Sequence, residues 1–218
     1  MGAVTVGVDI GQRRDPTAIA VVEQEERRDT ETHHIARHLE RVPLGSPYPA
    51  VAERVAAVVQ GVHAATLGET PTLYVDATGV GTPIVDVLRT ASVGDLARVV
   101  AVFFNHGDRR KVERDEVKLG KAWLVSRMQA LLQSGLLHLP RTAEAEVLAQ
   151  ELLDYEIRVS EDANDRYGAF RVGAHDDLVT ALGLATQEDH GGGGWSTSFR
   201  DPYGWGDLPS HGGFWPSW

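Results

Sequence analysis

Four aspartates in this sequence are placed where carboxylates could do chemistry together. Asp9 ends the apolar run "VTVGVD", Asp76 ends "LYVD", and Asp176 and Asp177 open the alanine-rich stretch "HDDLVTALGLA". Taken singly, each has an ordinary explanation as a turn residue or a helix cap. Brought to one place, like charges a few ångströms apart raise one another's pKa and disfavour ionisation unless a cation joins them. The sequence has no cysteine, so a metal must be held by oxygen or imidazole. Hard carboxylate ligands suit Mg²⁺ or Mn²⁺, and two such ions about 4 Å apart would clamp the attacking and leaving oxygens of a phosphoryl displacement.

Helical spacing separates the adjacent pair. Asp177 shares a face with Ala181, Leu184 and Ala185, the side that must pack on a sheet, whereas Asp176 aligns with Thr180, Gly183 and Gln187. Asp177 is therefore the better candidate to meet Asp9 and Asp76, with Asp176 beside it. His175 reads as a capping or orienting residue. Asp15, six residues after Asp9, either caps the turn or touches a metal through water.

The elements that must position these acids follow from periodicity. Val4, Val6, Val8 and Ile10 alternate with Thr5, Gly7 and Asp9, a strand with one small-residue face. "TAIAVVE" and "THHIARHLERV" continue a β-β-β opening. Residues 49–67 have helical spacing, the strand ending at Asp76 follows, and "TPIVDVLRTA" reads as a helix with Thr82 as N-cap and Pro83 at its first position. "LARVVAVFF" is the next strand, and a long amphipathic helix is expected from Glu113 to Ser134, closed by Gly135. "LLHLP" is a short strand or turn, "TAEAEVLAQELLDY" a helix capped by Thr142, "YEIRVS" and "YGAFRVG" a hairpin around "EDANDR", and "HDDLVTALGLAT" the last helix. From Asp189 the composition turns to glycine, serine, proline and tryptophan without periodicity, which reads as a tail.

Composition bounds the partners. The 218 residues suffice for one core, and no apolar run approaches the roughly 20 residues of a membrane span. A soluble intracellular protein without membrane contact is expected. The net charge of −10 argues against non-specific, charge-driven binding of nucleic acid, yet "DRRKVERDEVKLGK" gathers Arg109, Arg110, Lys111, Arg114, Lys118 and Lys121 among acids. Those cations read either as a solvated helix face with i to i+4 pairs or as a phosphate-contacting edge, the latter assigning Arg109, Arg110, Lys111, Lys118 and Lys121 to DNA.

The ordered set "VGVDIGQRRDPTAIAVV", "LYVDATGVGTPIVDVL", "VKLGKAWLVSRMQALLQSGLLHLP", "LAQELLDY" and "GAHDDLVTALGLA", spanning residue 3 to about 187, resembles the ribonuclease H-like nuclease domain of tailed-phage terminase large subunits. The resemblance implies an α/β fold, with a central mixed sheet of β-β-β-α-β-α order flanked by helices on both sides. Resemblance and composition together give the expected organisation, a nuclease domain over residues 1–188 and a flexible, glycine- and tryptophan-rich tail over 189–218. Carried onto this sequence, the family's metal-binding acids fall on Asp9, Asp76 and Asp177, with Asp176 adjacent and Asp15 secondary. It further implies a two-metal endonuclease that cuts double-stranded DNA during viral packaging, with Asp9 bridging both Mg²⁺ or Mn²⁺ ions and Asp76 and Asp177 each holding one. The implied partners are a separate ATPase motor, a small terminase subunit or a portal protein, in the cytoplasm of a phage-infected or prophage-carrying bacterium. "VKLGKAW" lacks the first glycine and the hydroxyl residue of a phosphate-binding loop, so the motor is not encoded here. Alternatives are a crossover-junction resolvase-like nuclease, a non-catalytic module docking on DNA or portal, and an actin-like ATPase fragment, for which the chain is too short and which leaves "HDD" unexplained.

Overall fold

The computed structural model describes residues 2–11, 15–27, 31–79, 81–105, 109–154, 156–159, 165–168 and 175–187. Strand β1 (Val4–Asp9) pairs antiparallel with β2 (Ala18–Glu26), and β2 with β3 (Thr32–Arg41). Helix α1 (Tyr48–Ala65) then leads to β4 (Thr72–Asp76), which lies parallel to β1 on the side opposite β2. Helix α2 (Gly81–Thr90) and the single turn α3 (Val93–Leu96) connect β4 to the parallel strand β5 (Arg98–Asn105). A hairpin of β6 (Arg110–Glu113) and β7 (Glu116–Gly120) extends that edge. Helix α4 (Lys121–Gln133), the short β8 (Leu137–His138) and helix α5 (Ala143–Asp154) follow. A separate two-stranded ribbon, β9 (Glu156–Val159) with β10 (Asp165–Gly168), precedes α6 (Asp177–Ala185). The eight-stranded sheet runs β6-β7-β5-β4-β1-β2-β3-β8, mixed in direction as expected.

Alternation along β1 splits the molecule into two cores. Val4, Val6 and Val8 face the side covered by α1, α2 and α3, where Val55, Val59, Val62, Ile84 and Leu88 are buried. The other face carries Ala18, Ala20, Tyr74, Val100 and Val102 against Leu124, Met128, Leu148 and the whole of α6. Helix α6 lies close to the sheet because β1 presents small residues to it. Thr5 Oγ1 donates to the Ala185 carbonyl at 2.5 Å. A Cβ on Gly7 would collide with the Ala181 carbonyl oxygen and stand 2.7 Å from the Ala185 nitrogen, both rigid backbone atoms. The rungs run from Thr5–Ala185 through Gly7–Ala181, so the next β1 residue on this face, Asp9, meets the start of α6.

That packing predicts a strong steric effect. Gly7→Val should destabilise the protein by an amount at the upper end of the about 1–3 kcal/mol typical of overpacking, because no side chain can swing away. A thermal melt of Gly7→Val beside Gly7→Ala checks it, and a wild-type melting temperature for both would show that α6 is free to shift.

Several sequence expectations change. The segment expected to start a helix at Glu113 is instead the β6–β7 hairpin, and the helix begins at Lys121. Arg114 adopts φ +55° at the hairpin turn, and Val117 and Leu119 are buried while Glu116 and Lys118 are exposed, which is a period of two. Thr82 does not cap α2. The helix starts at Gly81, two residues before Pro83, and the Thr82 hydroxyl donates to the Ala77 carbonyl at 3.0 Å. Thr142 does cap α5, accepting from the Ala145 amide at 3.2 Å. Gly135, at φ +67°, ends α4, with the Leu136 amide returning to the Leu131 carbonyl at 2.8 Å. The hairpin partner of β9 is "DRYG", while residues 169–173 of "YGAFRVG" and the tail over 189–218 lie outside the described residues.

Candidate active site

Val8 of β1 is in register with Val75 of β4, so the residues that follow, Asp9 and Asp76, end two neighbouring parallel strands side by side. The carboxyl ends of parallel strands, where a sheet's connections diverge, are the usual place for a site in such folds. Asp9 follows Thr5 and Gly7 on the α6 face, and Asp76 follows Tyr74 on the same face. The Asp76 Oδ1 accepts from the Thr78 amide at 2.8 Å.

Their electrostatics are those of a crowded acid pair. Burial pushes the Asp9 carboxyl well above the usual carboxylate range, with Asp76, Asp176 and Asp177 adding to the rise and Lys121 opposing it. Asp76 is raised too, chiefly by burial, and is held back by its bond to Thr78, by Lys121 and by a hydrogen bond with Asp9. Without a cation the two carboxyls tend to retain a proton; with one, both ionise.

Helix α6 adds its acids in two different settings. Asp177 is 2 % exposed, and Arg41 Nε donates to its Oδ2 at 2.6 Å, with Nη2 to Oδ1 at 3.3 Å. Arg41 Nη2 also bonds Glu151 Oε1, and Glu151 Oε2 accepts from the Val179 amide at 3.1 Å. Burial, reinforced by Asp177, pushes the Glu151 carboxyl up to about 8 despite the adjoining guanidinium. Asp176 is half-buried, 3.7 Å from Lys121 Nζ. His175 Nδ1 lies 3.5 Å from Asp15 and 3.9 Å from Asp177 Oδ1, and is buried without a hydrogen-bond partner.

Asp9 and Asp76 are thus brought together, and the start of α6 places Asp176, Asp177 and His175 beside them. Among the described residues, no three acids or histidines converge as a finished metal cage. The donor set nonetheless fits a hard divalent cation: paired carboxylates whose charge lacks full compensation, a third acid alongside, and an unpartnered buried imidazole nitrogen.

The cations expected to contact DNA are dispersed. Lys111 and Lys118 project from the hairpin and pair with Glu113 at 2.6 and 3.7 Å. Arg109 is exposed, and its carbonyl accepts from the Gly120 amide. Arg110 turns inward, donating to Gln187 Oε1 at 3.1 Å beside the Trp123 ring. Lys121 stands in the acid cluster itself, with Nζ 5.4 Å from the centre of the Phe104 ring. Arg41 and Glu151 were not expected from sequence. The available signals are a charge closing an otherwise buried strand at the level of Asp9, and a glutamate inside the buried stripe of α5.

No protein-family model matches the sequence, and no curated protein matches it significantly. Solved structures do. The large terminase nuclease of thermophilic phage G20c with bound magnesium superimposes with a TM-score of 0.59 at 19 % identity, covering 85 % of this chain and 81 % of that one. The nuclease domain of the bacteriophage SPP1 large terminase with bound manganese gives 0.52 at 12 % identity, covering 85 % of each chain. The human cytomegalovirus terminase nuclease domain, manganese-soaked and inhibitor-bound, gives 0.54 at 17 % identity over 86 % and 83 %. The chain has the terminase-nuclease fold. In this terminase-nuclease fold, ribonuclease H-like in its sheet order, β1, β4 and α6 are the elements on which Asp9, Asp76 and Asp176–Asp177 stand. Among the described residues no helix is long and apolar enough to cross a membrane.

Proposed function

We propose that this protein is a metal-dependent endonuclease that hydrolyses phosphodiester bonds of double-stranded DNA with two Mg²⁺ or Mn²⁺ ions, as the nuclease part of a viral packaging terminase. The observation that carries the reading is the pair Asp9 and Asp76 at adjacent strand ends, with the first residues of α6 beside them. The three nuclease domains compared above, solved with magnesium or manganese, support it through their fold.

When bound, the ions would supply charge stabilisation to the attacking and leaving oxygens of an in-line displacement. Asp9, central in the cluster, would contribute to both, and Asp76 and Asp177 to one each. The Thr78 amide fixes the Asp76 carboxylate, leaving its other oxygen for the site. Lys121 offers a cation to a backbone phosphate once metal has neutralised the acids. Lys111 and Lys118 on the hairpin would hold the flanking duplex without reading bases. Packaging also needs an ATP-driven motor, which this nuclease would work beside.

The test is supercoiled plasmid incubated with the purified protein in Mg²⁺, in Mn²⁺ and in chelator. Relaxed and linear products should form with either metal and disappear with chelator. Cleavage that persists in chelator, or none under any condition, contradicts the reading.

A further inference from the structure

Outside the acid pair, the most strongly built polar cluster is Arg41–Asp177–Glu151. Arg41 ends β3, and the register places it in one row with Ala18 and Asp9, two strands and about 10 Å away. Its guanidinium spans two carboxyl groups from different helices. It donates to both oxygens of Asp177 and to Glu151, whose other oxygen accepts from the Val179 amide in the first turn of α6. Asp177 and Glu151 are 2 % and 6 % exposed. The short bond, 2.6 Å, is to Asp177 Oδ2. Oδ1, 3.3 Å from Nη2 and 3.9 Å from His175 Nδ1, is the less engaged oxygen. A carboxylate has about four lone-pair positions, so an anchored Oδ2 leaves Oδ1 able to accept a cation.

We infer that Arg41, braced by Glu151, is a positioning residue that fixes the Asp177 carboxylate and the start of α6 for metal binding. This rests on the nuclease reading of the site. A planar guanidinium gripping a carboxylate at two points fixes its plane as well as its position, which an ammonium cannot do. Glu151 ties the same guanidinium to the Val179 amide, so the side chain and the helix that carries it are located together. Residues that orient a metal ligand are typically worth about 10–100-fold in affinity or activity.

The test is calorimetric titration of Mn²⁺ into the metal-free full chain, wild type, Arg41→Gln and Arg41→Lys, with plasmid-cleavage kinetics and melts of each. Arg41→Gln should bind Mn²⁺ about 10–100-fold more weakly and lose kcat, with KM for DNA within about two-fold of wild type. Arg41→Lys, which keeps charge without the fork, should melt closer to wild type yet recover only part of the Mn²⁺ affinity, and it decides the matter if Arg41→Gln does not fold. A folded Arg41→Lys or Arg41→Gln protein with wild-type Mn²⁺ affinity would make Arg41 purely structural and overturn the inference, while plasmid cleavage by the wild type stood. A wild type that neither binds Mn²⁺ nor cuts would overturn the nuclease reading and the inference with it.

Discussion

Asp9→Asn should abolish plasmid cleavage while the protein remains folded. Asp9 is the acid on which Asp76, Asp176, Asp177 and Lys121 all act, so its replacement removes negative charge from the centre of the cluster, where the proposed function puts the ions. Losing a metal-held transition state costs several kcal/mol, and with each 1.4 kcal/mol worth a factor of ten, a loss of about 10³-fold or more is expected. Stability without metal moves the other way. The folded-state pKa of Asp9 is raised, so between its ordinary value and the raised one the folded protein binds more protons than the unfolded chain. The slope of stability against pH is then negative: the favourable protonated state is present at low pH and is lost as pH rises through the raised pKa. In chelator, wild type should gain stability on acidification through that window. Asp9→Asn should melt higher than wild type at neutral pH and lose this part of the pH dependence. Normal cutting by Asp9→Asn, or a much lower metal-free melt, would assign Asp9 to the turn.

Asp177→Asn should also eliminate cleavage, but its expected effect on stability has the opposite sign. Asp177 is buried and grips Arg41, so an amide there loses the charged partner of a two-point bond and turns an NH₂ toward a guanidinium or a neighbouring donor. A cost of about 1–3 kcal/mol is expected for a buried hydrogen-bonding group left unsatisfied. That is a fall of several degrees in melting temperature for a domain of this size. Asp176→Asn should retain measurable activity and melt near wild type, since Asp176 is half-buried and makes no side-chain cap to α6. Cleavage assays and chelator melts of both variants check this. The account of α6 fails if Asp176→Asn is inactive while Asp177→Asn cuts normally.

Asp9 and Asp76 were legible in the sequence because each closes a short apolar run that reads as a strand, and parallel pairing of the two strands then sets them side by side. The approach of α6 was legible in Ala181 and Ala185 on the Asp177 face, and the structure adds Gly7 as the opposing surface, while Gly183 turns instead to Leu124 of α4. The β6–β7 hairpin was missed because alternating Lys, Arg and Glu from Arg109 onward satisfies i to i+4 pairing as readily as a strand, and only Val117 and Leu119 carry the period of two. Arg41 was invisible for a different reason. Its partner is 136 residues away, and a strand-terminal arginine has no local pattern that names a carboxylate on the last helix.

The most direct measurement of the central claim is calorimetric titration of Mn²⁺ into metal-free wild type, Asp9→Asn and Asp76→Asn. Wild type should bind with a release of protons that grows as pH is lowered, since the raised carboxyls of Asp9 and Asp76 must ionise to receive the ion. Each variant should bind at least about ten-fold more weakly, with the proton release reduced. Equal Mn²⁺ affinity in all three proteins would contradict the account, because the acids at the ends of β1 and β4 would then not hold the metal.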